Sequence, residues 1–263
     1  MQLTISLGQM DVRLGEPAQN LATMAALTAE AAQRGSDVVV FPELWSTGYD
    51  LENAKRHAAP VNAGIFAQTA ALAKQHRLHI LGSCLSQLST GGYGNTAVWF
   101  TPDGEAAGVY NKIHLFRLMQ EEQFLTAGNG LTLAQTPWGL AGLTICYDLR
   151  FPELFRAYAL AGAKLVFVPA EWPHPRLSHW QTLLRARAIE NQMFIVACNR
   201  VGVSKDTHFF GHSAIIDPWG ETVISGGETA MLLTATIQTD LVDSVRAKIP
   251  VFADRRPDLY PSR

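Results

Sequence analysis

Residues 37–43 read Asp37-Val38-Val39-Val40-Phe41-Pro42-Glu43. Four apolar side chains in a row, closed by a proline, predict a short strand buried on both faces, as in a sheet covered by helices. Working outward, similar runs occupy 78–85 (LHILGSCL), 164–169 (KLVFVP) and 193–198 (MFIVAC). Between them the pattern turns helical. Residues 17–34 open at Pro17 and stop at Gly35, and further helices fit 63–77, 152–161 and 177–191. Strand signals also fall at 2–9, 95–101, 105–111, 131–136, 140–146, 211–217, 221–225 and 230–237. Helices alternating with buried strands, with hairpin-like pairs in the gaps, predict a layered α/β fold with a mixed sheet. Neither a repeat nor a linker divides the chain. One domain over residues 1–263 is expected, with an extended tail from about residue 240, where prolines and charges gather.

Composition narrows the function classes. Hydrophobic residues make up 48% and charged residues 17%, a globular balance that excludes a disordered chain. A net charge of −2 argues against nucleic acid or an acidic membrane as partner. No apolar run approaches the ~18–20 residues of a membrane span. The opening Met1-Gln2-Leu3-Thr4-Ile5-Ser6 shows no secretory pattern, and the three cysteines (Cys84, Cys146, Cys198) form no C-x-x-C pair. These features predict a cytoplasmic protein without a disulfide framework.

Three strand-end residues stand out. Cys146 follows Leu143-Thr144-Ile145 and precedes the polar Tyr147-Asp148-Leu149-Arg150 and a helix, the place for a nucleophilic thiol. Glu43 follows a buried strand, where an unpaired acid is disfavoured, and Lys112 ends another strand in Tyr110-Asn111-Lys112-Ile113-His114. Taken singly, each has an ordinary reading: a small buried hydrophobe, a solvated acid, a surface lysine. Cys84 and Cys198, set among apolar neighbours, keep that reading. Together, an acid, a cation and a thiol make a machine for attacking a carbonyl or nitrile carbon. The reference pKa values of Glu and Cys differ by ~4 units, roughly 5.7 kcal/mol. Burial of the acid and a lysine beside the thiol are the means of closing that gap, and the lysine also suits a tetrahedral oxyanion.

Rival sites are open at this level. His114 is a candidate base for a Cys–His hydrolase. His174 with His179, and His208 with His212, have ligand-like spacing, but Pro175 and Phe209-Phe210-Gly211 argue against a helical metal site, and none is expected. Gly91-Gly92-Tyr93-Gly94 lacks the context of a phosphate loop and reads as a turn.

With these residues in view, the sequence resembles the nitrilase (carbon–nitrogen hydrolase) superfamily from about residue 2 to about 238. The likeness rests on Phe41-Pro42-Glu43, on Asn111-Lys112-Ile113-His114-Leu115-Phe116, and on Cys146-Tyr147-Asp148-Leu149-Arg150-Phe151-Pro152-Glu153-Leu154. Supporting stretches are Arg187-Ala188-Ile189-Glu190-Asn191-Gln192, Cys198-Asn199-Arg200 and 211–221. The resemblance implies a single-domain αββα sandwich that pairs into a homodimer, and a Glu43–Lys112–Cys146 triad. It implies a second glutamate at Glu121, seven residues before Gly128, with Glu122 as the alternative. The backbone N–H of Tyr147 would be a second oxyanion donor. No cofactor and no metal are implied.

The stretch Pro169-Ala170-Glu171-Trp172-Pro173, with Pro175-Arg176 and His179-Trp180, is similar to the ω-amidase branch. That branch cleaves the distal amide of 2-oxo acids such as 2-oxoglutaramate and 2-oxosuccinamate to carboxylate and ammonia. Glu171 departs from the asparagine of several such enzymes, and an acid there would repel an anionic substrate. Arg176 and the Phe116-Arg117 loop are candidate carboxylate anchors, Trp172 and Tyr49 candidate pocket walls, and Arg150 reads as half of a structural ion pair. Alternatives within the superfamily are an N-carbamoyl-amide hydrolase, a deaminated-glutathione amidase and a nitrilase. Outside it stands a non-catalytic binding protein on the same fold.

Overall fold

A computed structural model of the protein describes residues 1–260. The first half runs β1 (Gln2–Gln9), α1 (Pro17–Gln33), β2 (Val38–Val40), α2 (Ala54–His57), α3 (Gly64–His76), β3 (His79–Gln87), β4 (Tyr93–Phe100), β5 (Ala106–Asn111) and the single turn α4 (Glu121–Phe124). The second runs β6 (Leu133–Thr136), β7 (Gly139–Leu143), α5 (Pro152–Leu160), β8 (Leu165–Ala170), α6 (Leu177–Asn191) and β9 (Phe194–Asn199). It continues through β10 (Val201–Ser204), β11 (Thr207–Phe210), β12 (Ala214–Ile216), β13 (Thr222–Ser225), β14 (Met231–Gln238) and α7 (Leu241–Lys248).

The strands form two six-stranded sheets, β14-β1-β2-β3-β4-β5 and β13-β12-β9-β8-β7-β6, with β10-β11 as a separate hairpin. In each large sheet three central strands are parallel (β1-β2-β3 and β7-β8-β9), and every outer pairing is antiparallel. The sheets meet face to face through a shared apolar core, where Trp99 of β4 packs edge-on against Phe167 of β8 at 5.0 Å. Alternation sorts the side chains. Val38 and Val40 join the inter-sheet core, while Val39 faces the other way, in a cluster with Met24 and Ala31 of α1 and Phe66 and Ala73 of α3. Helix α1 buries Asn20, Met24, Thr28 and Ala31 at helical spacing along one stripe. Helix α6 does the same with Trp180, Leu184 and Ala188 against the second sheet. The layers are therefore helix, sheet, sheet, helix, the expected αββα sandwich.

Three expectations need correction. The tail from about 240 is not simply extended, because α7 forms there and buries Val242 and Val245, three residues apart, before the prolines begin. The stretch 211–217 is not one strand: β11 ends at Phe210, and β12 begins at Ala214 after positive-φ turns at Gly211 and His212. The strand placed over 140–146 stops at Leu143, so Cys146 sits beyond it, at the start of a 3-10 turn over Cys146–Arg150.

Candidate active site

The ends of β2, β5 and β7 converge between the sheets. Glu43, three residues beyond β2, and Lys112, immediately after β5, are fully buried. Lys112 Nζ donates to Glu43 Oε1 at 2.7 Å and to Glu121 Oε1 at 2.7 Å. Of the two candidate glutamates, Glu121 is fully buried in this cluster and Glu122 is exposed. The Glu121 carboxylate also accepts the Tyr49 hydroxyl on Oε1 at 2.8 Å and the Phe116 N–H on Oε2 at 2.6 Å. Tyr49 is thus directed at the acid–cation cluster. Glu43 is held further by the Asn95 side-chain amide on Oε1 at 2.8 Å and by the Glu171 N–H on Oε2 at 3.0 Å.

Cys146 is buried at a φ of +44°, a backbone conformation that costs a non-glycine residue ~1–3 kcal/mol and persists only where its surroundings impose it. Here Asp148 imposes it. Its Oδ2 accepts the Ile145 N–H at 2.8 Å and the Tyr110 hydroxyl at 2.7 Å, and its N–H returns to the Ile145 carbonyl at 3.0 Å. Asp148 Oδ1 takes both the backbone N–H and the Nδ1 of His114, whose ring stacks on Phe151 at 3.6 Å. His114 is therefore occupied as a prop for the Cys146 turn. Among the described residues the acids, not a histidine, are gathered around the thiol and the lysine.

The electrostatics follow from burial. Burial pushes the Cys146 thiol well above its ordinary range, and the Glu43 carboxylate adds to this, while Lys112 pulls the other way and is outweighed. That direction favours the neutral thiol at rest, so the proton has to leave as the sulfur reacts. Helix α5 starts only at Pro152, after the 3-10 turn Cys146–Arg150 that carries the thiol. Burial alone would lower Lys112, but Glu121 and Glu43 more than compensate and keep it an ammonium. Burial raises Glu121, partly offset by Lys112. Tyr49 is raised by burial and then by Glu121, so its hydroxyl is a neutral donor.

Beside Cys146 lies a pocket with about 230 Å3 of empty space, lined by Phe116, Cys146, Tyr147, Arg150, Glu171, Trp172, Pro173 and Arg176. That space includes the pocket's open mouth, so what is enclosed beside the sulfur is narrower still. Of the two walls expected from sequence, Trp172 lines it and Tyr49 does not; the expected oxyanion donor Tyr147 and the expected anchors Phe116 and Arg176 also line it, and Arg117 does not. Arg150 is no structural ion pair: its guanidinium lies over Trp172 at 4.8 Å and meets His179 Nδ1 at 3.4 Å. Arg176 lies over Phe116 at 5.8 Å. Among the described residues neither arginine has a carboxylate partner. Glu171 is spoken for: it is buried, its Oε2 meets Arg200 Nη1 at 3.3 Å, and burial pushes its carboxyl up to about 8. The repulsion expected from this acid is thereby muted. Asn95 was not singled out from sequence, and Asp148 and Arg200 were quoted only within longer stretches, with no role; the signal at Asn95 was an amide at the head of the apolar run Ala97–Phe100.

The layered fold and this site belong to a known class. Residues 4–247 match the carbon-nitrogen hydrolase family, and the chain belongs to it. It is an amidohydrolase acting on carbon–nitrogen bonds other than peptide bonds. A 2-oxoglutaramate amidase of Bacillus subtilis is 40% identical over 260 residues, spanning 99% of this chain and 100% of that one. A hydrolase in the agr operon of Staphylococcus aureus is 36% identical over 263 residues, spanning 98% and 100%. Among solved structures, XC1258 of Xanthomonas campestris, a CN-hydrolase superfamily protein with an arsenic adduct in its active site, has a TM-score of 0.91 at 33% identity, over 97% of this chain and 98% of that one.

Proposed function

We propose that the protein hydrolyses the ω-amide of a small 2-oxo acid, of the 2-oxoglutaramate type, through a thioester on Cys146. One observation carries the reading: the buried Glu43–Lys112–Glu121 cluster and Cys146 adjoin a small pocket whose two arginines lack carboxylate partners among the described residues. An arginine pair suits a substrate carboxylate, while the amide end reaches the sulfur. The name of the Bacillus subtilis relative points to the same substrate class.

In this mechanism Glu43 takes the thiol proton as sulfur attacks the amide carbon. The negative charge moves from Glu43 to the new oxyanion, so the net charge of the site does not change. Lys112, relieved of its ionised partner, turns to the oxyanion while Glu121 keeps hold of it, and the Tyr147 N–H is the second donor. Glu43 then gives its proton to the nitrogen, and ammonia leaves. Water, deprotonated by Glu43, attacks the thioester; the carboxylate product departs and the thiol regains its proton.

The test is ammonia release by wild type and Cys146→Ala on 2-oxoglutaramate, 2-oxosuccinamate, deaminated glutathione, an N-carbamoyl amino acid and a nitrile. Turnover confined to the 2-oxo amides, and absent in Cys146→Ala, is expected. Turnover of another compound alone would discard the substrate class, and an active Cys146→Ala would discard the nucleophile. The same reading makes the protein a cytoplasmic homodimer. Its three cysteines are unpaired, and exposed Ile189, Trp219 and Ile249 lie around the end of α6, where Gln192 bonds the Ile249 carbonyl. A monomeric mass in solution would refute the dimer, and recovery from an oxidising compartment would refute the location.

A further inference from the structure

We propose that Asn95 is a positioning residue for the base, one that decides which oxygen of Glu43 exchanges the proton. The inference rests on the reading of Glu43 as that base. Asn95 sits in β4, fully buried, paired in register with Leu85 of β3. Its two polar ends grip both members of the acid–cation pair: the side-chain amide donates to Glu43 Oε1 at 2.8 Å, and its backbone carbonyl accepts the Lys112 N–H at 2.9 Å.

The side chain makes this contact at a cost. Asn95 Oδ1 is buried and has no hydrogen-bond partner among the described residues. A buried acceptor left unpaired is unfavourable, and a leucine of nearly the same shape would fill the space without it. Packing therefore does not account for an amide at this position. Turning the amide over would set its oxygen against the carboxylate, so Glu43 dictates its orientation.

The consequence lies in the count of donors. Glu43 Oε1 accepts from both Lys112 and Asn95, whereas Oε2, among the described residues, accepts only from the Glu171 N–H at 3.0 Å. The lone pair left for the thiol proton is on Oε2. When Lys112 turns to the oxyanion, Asn95 stays on Oε1, keeps that oxygen free of the proton, and holds the carboxyl plane so that the O–H on Oε2 faces the departing nitrogen. A neutral donor suits this task because it does not follow the charge.

The experiment compares Asn95→Leu and Asn95→Ser, the second with a hydroxyl too short to span to Glu43, against wild type and Glu43→Gln. For both Asn95 variants kcat falls by about 10- to 100-fold with KM nearly unchanged. A carboxylate relieved of an N–H donor holds its proton more tightly, so the acid limb of kcat/KM moves up by about half a pH unit or more. The other groups facing Glu43 and its cluster (Lys112, Cys146, Glu171, Glu121 and Tyr49) are common to all the proteins compared. A merely structural role would lower the active fraction without moving that limb. An inactive Glu43→Gln beside a folded Asn95 variant with kcat within twofold of wild type and an unmoved limb overturns the proposal alone. An active Glu43→Gln overturns the base assignment and the proposal with it.

Discussion

Glu171 shows how much a single buried acid can tell about its surroundings. Its carboxyl has Arg200 on one oxygen and, among the described residues, nothing on the other. Burial raises it to about 8, and the ionised Glu43 beside it adds to the shift against the pull of Arg200. An unfolded glutamate ionises near ~4.3. Between these values the unfolded chain gives up a proton that the folded chain keeps, so stability contributed by Glu171 is present at low pH, declines as pH rises through this window, and levels off above about 8. Glu171→Gln removes that titration. The melting temperature of wild type minus that of Glu171→Gln should therefore fall steadily from about pH 4.5 to about pH 8. Calorimetry of the two proteins at matched pH checks this; a constant difference would mean that Arg200 keeps the acid ionised throughout.

At the scale of elements, the loop after β5 positions the lysine, and Gly128 closes it. The Gly128 N–H donates to the Lys112 carbonyl at 2.8 Å, and a Cβ built on Gly128 would lie 2.1 Å from the Asn111 carbonyl oxygen. That oxygen belongs to backbone and cannot rotate aside, so Gly128→Ala must push the loop off β5. The expected result is a loss of about 1–3 kcal/mol in denaturant unfolding, with turnover falling more than tenfold as Lys112 shifts. An unchanged midpoint and rate would show that the loop yields freely.

The elements also show where sequence reading works. The runs around Val38–Phe41, Leu78–Leu85, Leu165–Val168 and Phe194–Cys198 were legible because strands buried on both faces are largely apolar. Glu43, Lys112 and Cys146 were legible as reactive groups at or just beyond strand ends. The hairpin β10-β11 was not, since Val203 and His208 face solvent and its pattern is mixed. Helix α7 was hidden by the prolines and charges that follow it. The roles of Asn95, Asp148 and Arg200 escaped because each needs a partner distant in the chain: Glu43 at 52 residues, Tyr110 at 38 and Glu171 at 29. The neutral state of the Cys146 thiol is likewise a product of burial, which no local pattern displays.

At the scale of the whole molecule, the two large sheets repeat one order of parallel and antiparallel pairings, and the site lies where they meet. Glu43, Asn95, Lys112 and Glu121 come from the half ending in the exposed loop at 129–131, and Cys146 and Glu171 from the half that follows. Neither half owns a complete site, yet the second returns β14 to the first sheet, beside β1, over eight residue pairs. The protein is in this sense a natural two-piece lock. Divided after Asn129, each fragment expressed alone should release no ammonia, whereas the two expressed together should find each other along β1 and β14 and regain turnover. Activity in either fragment alone, or a silent co-purified pair, would count against a reaction shared between the halves. If the pair does regain turnover, the divided enzyme becomes a reporter: fused to two other proteins, its ammonia output would signal whether those proteins have met.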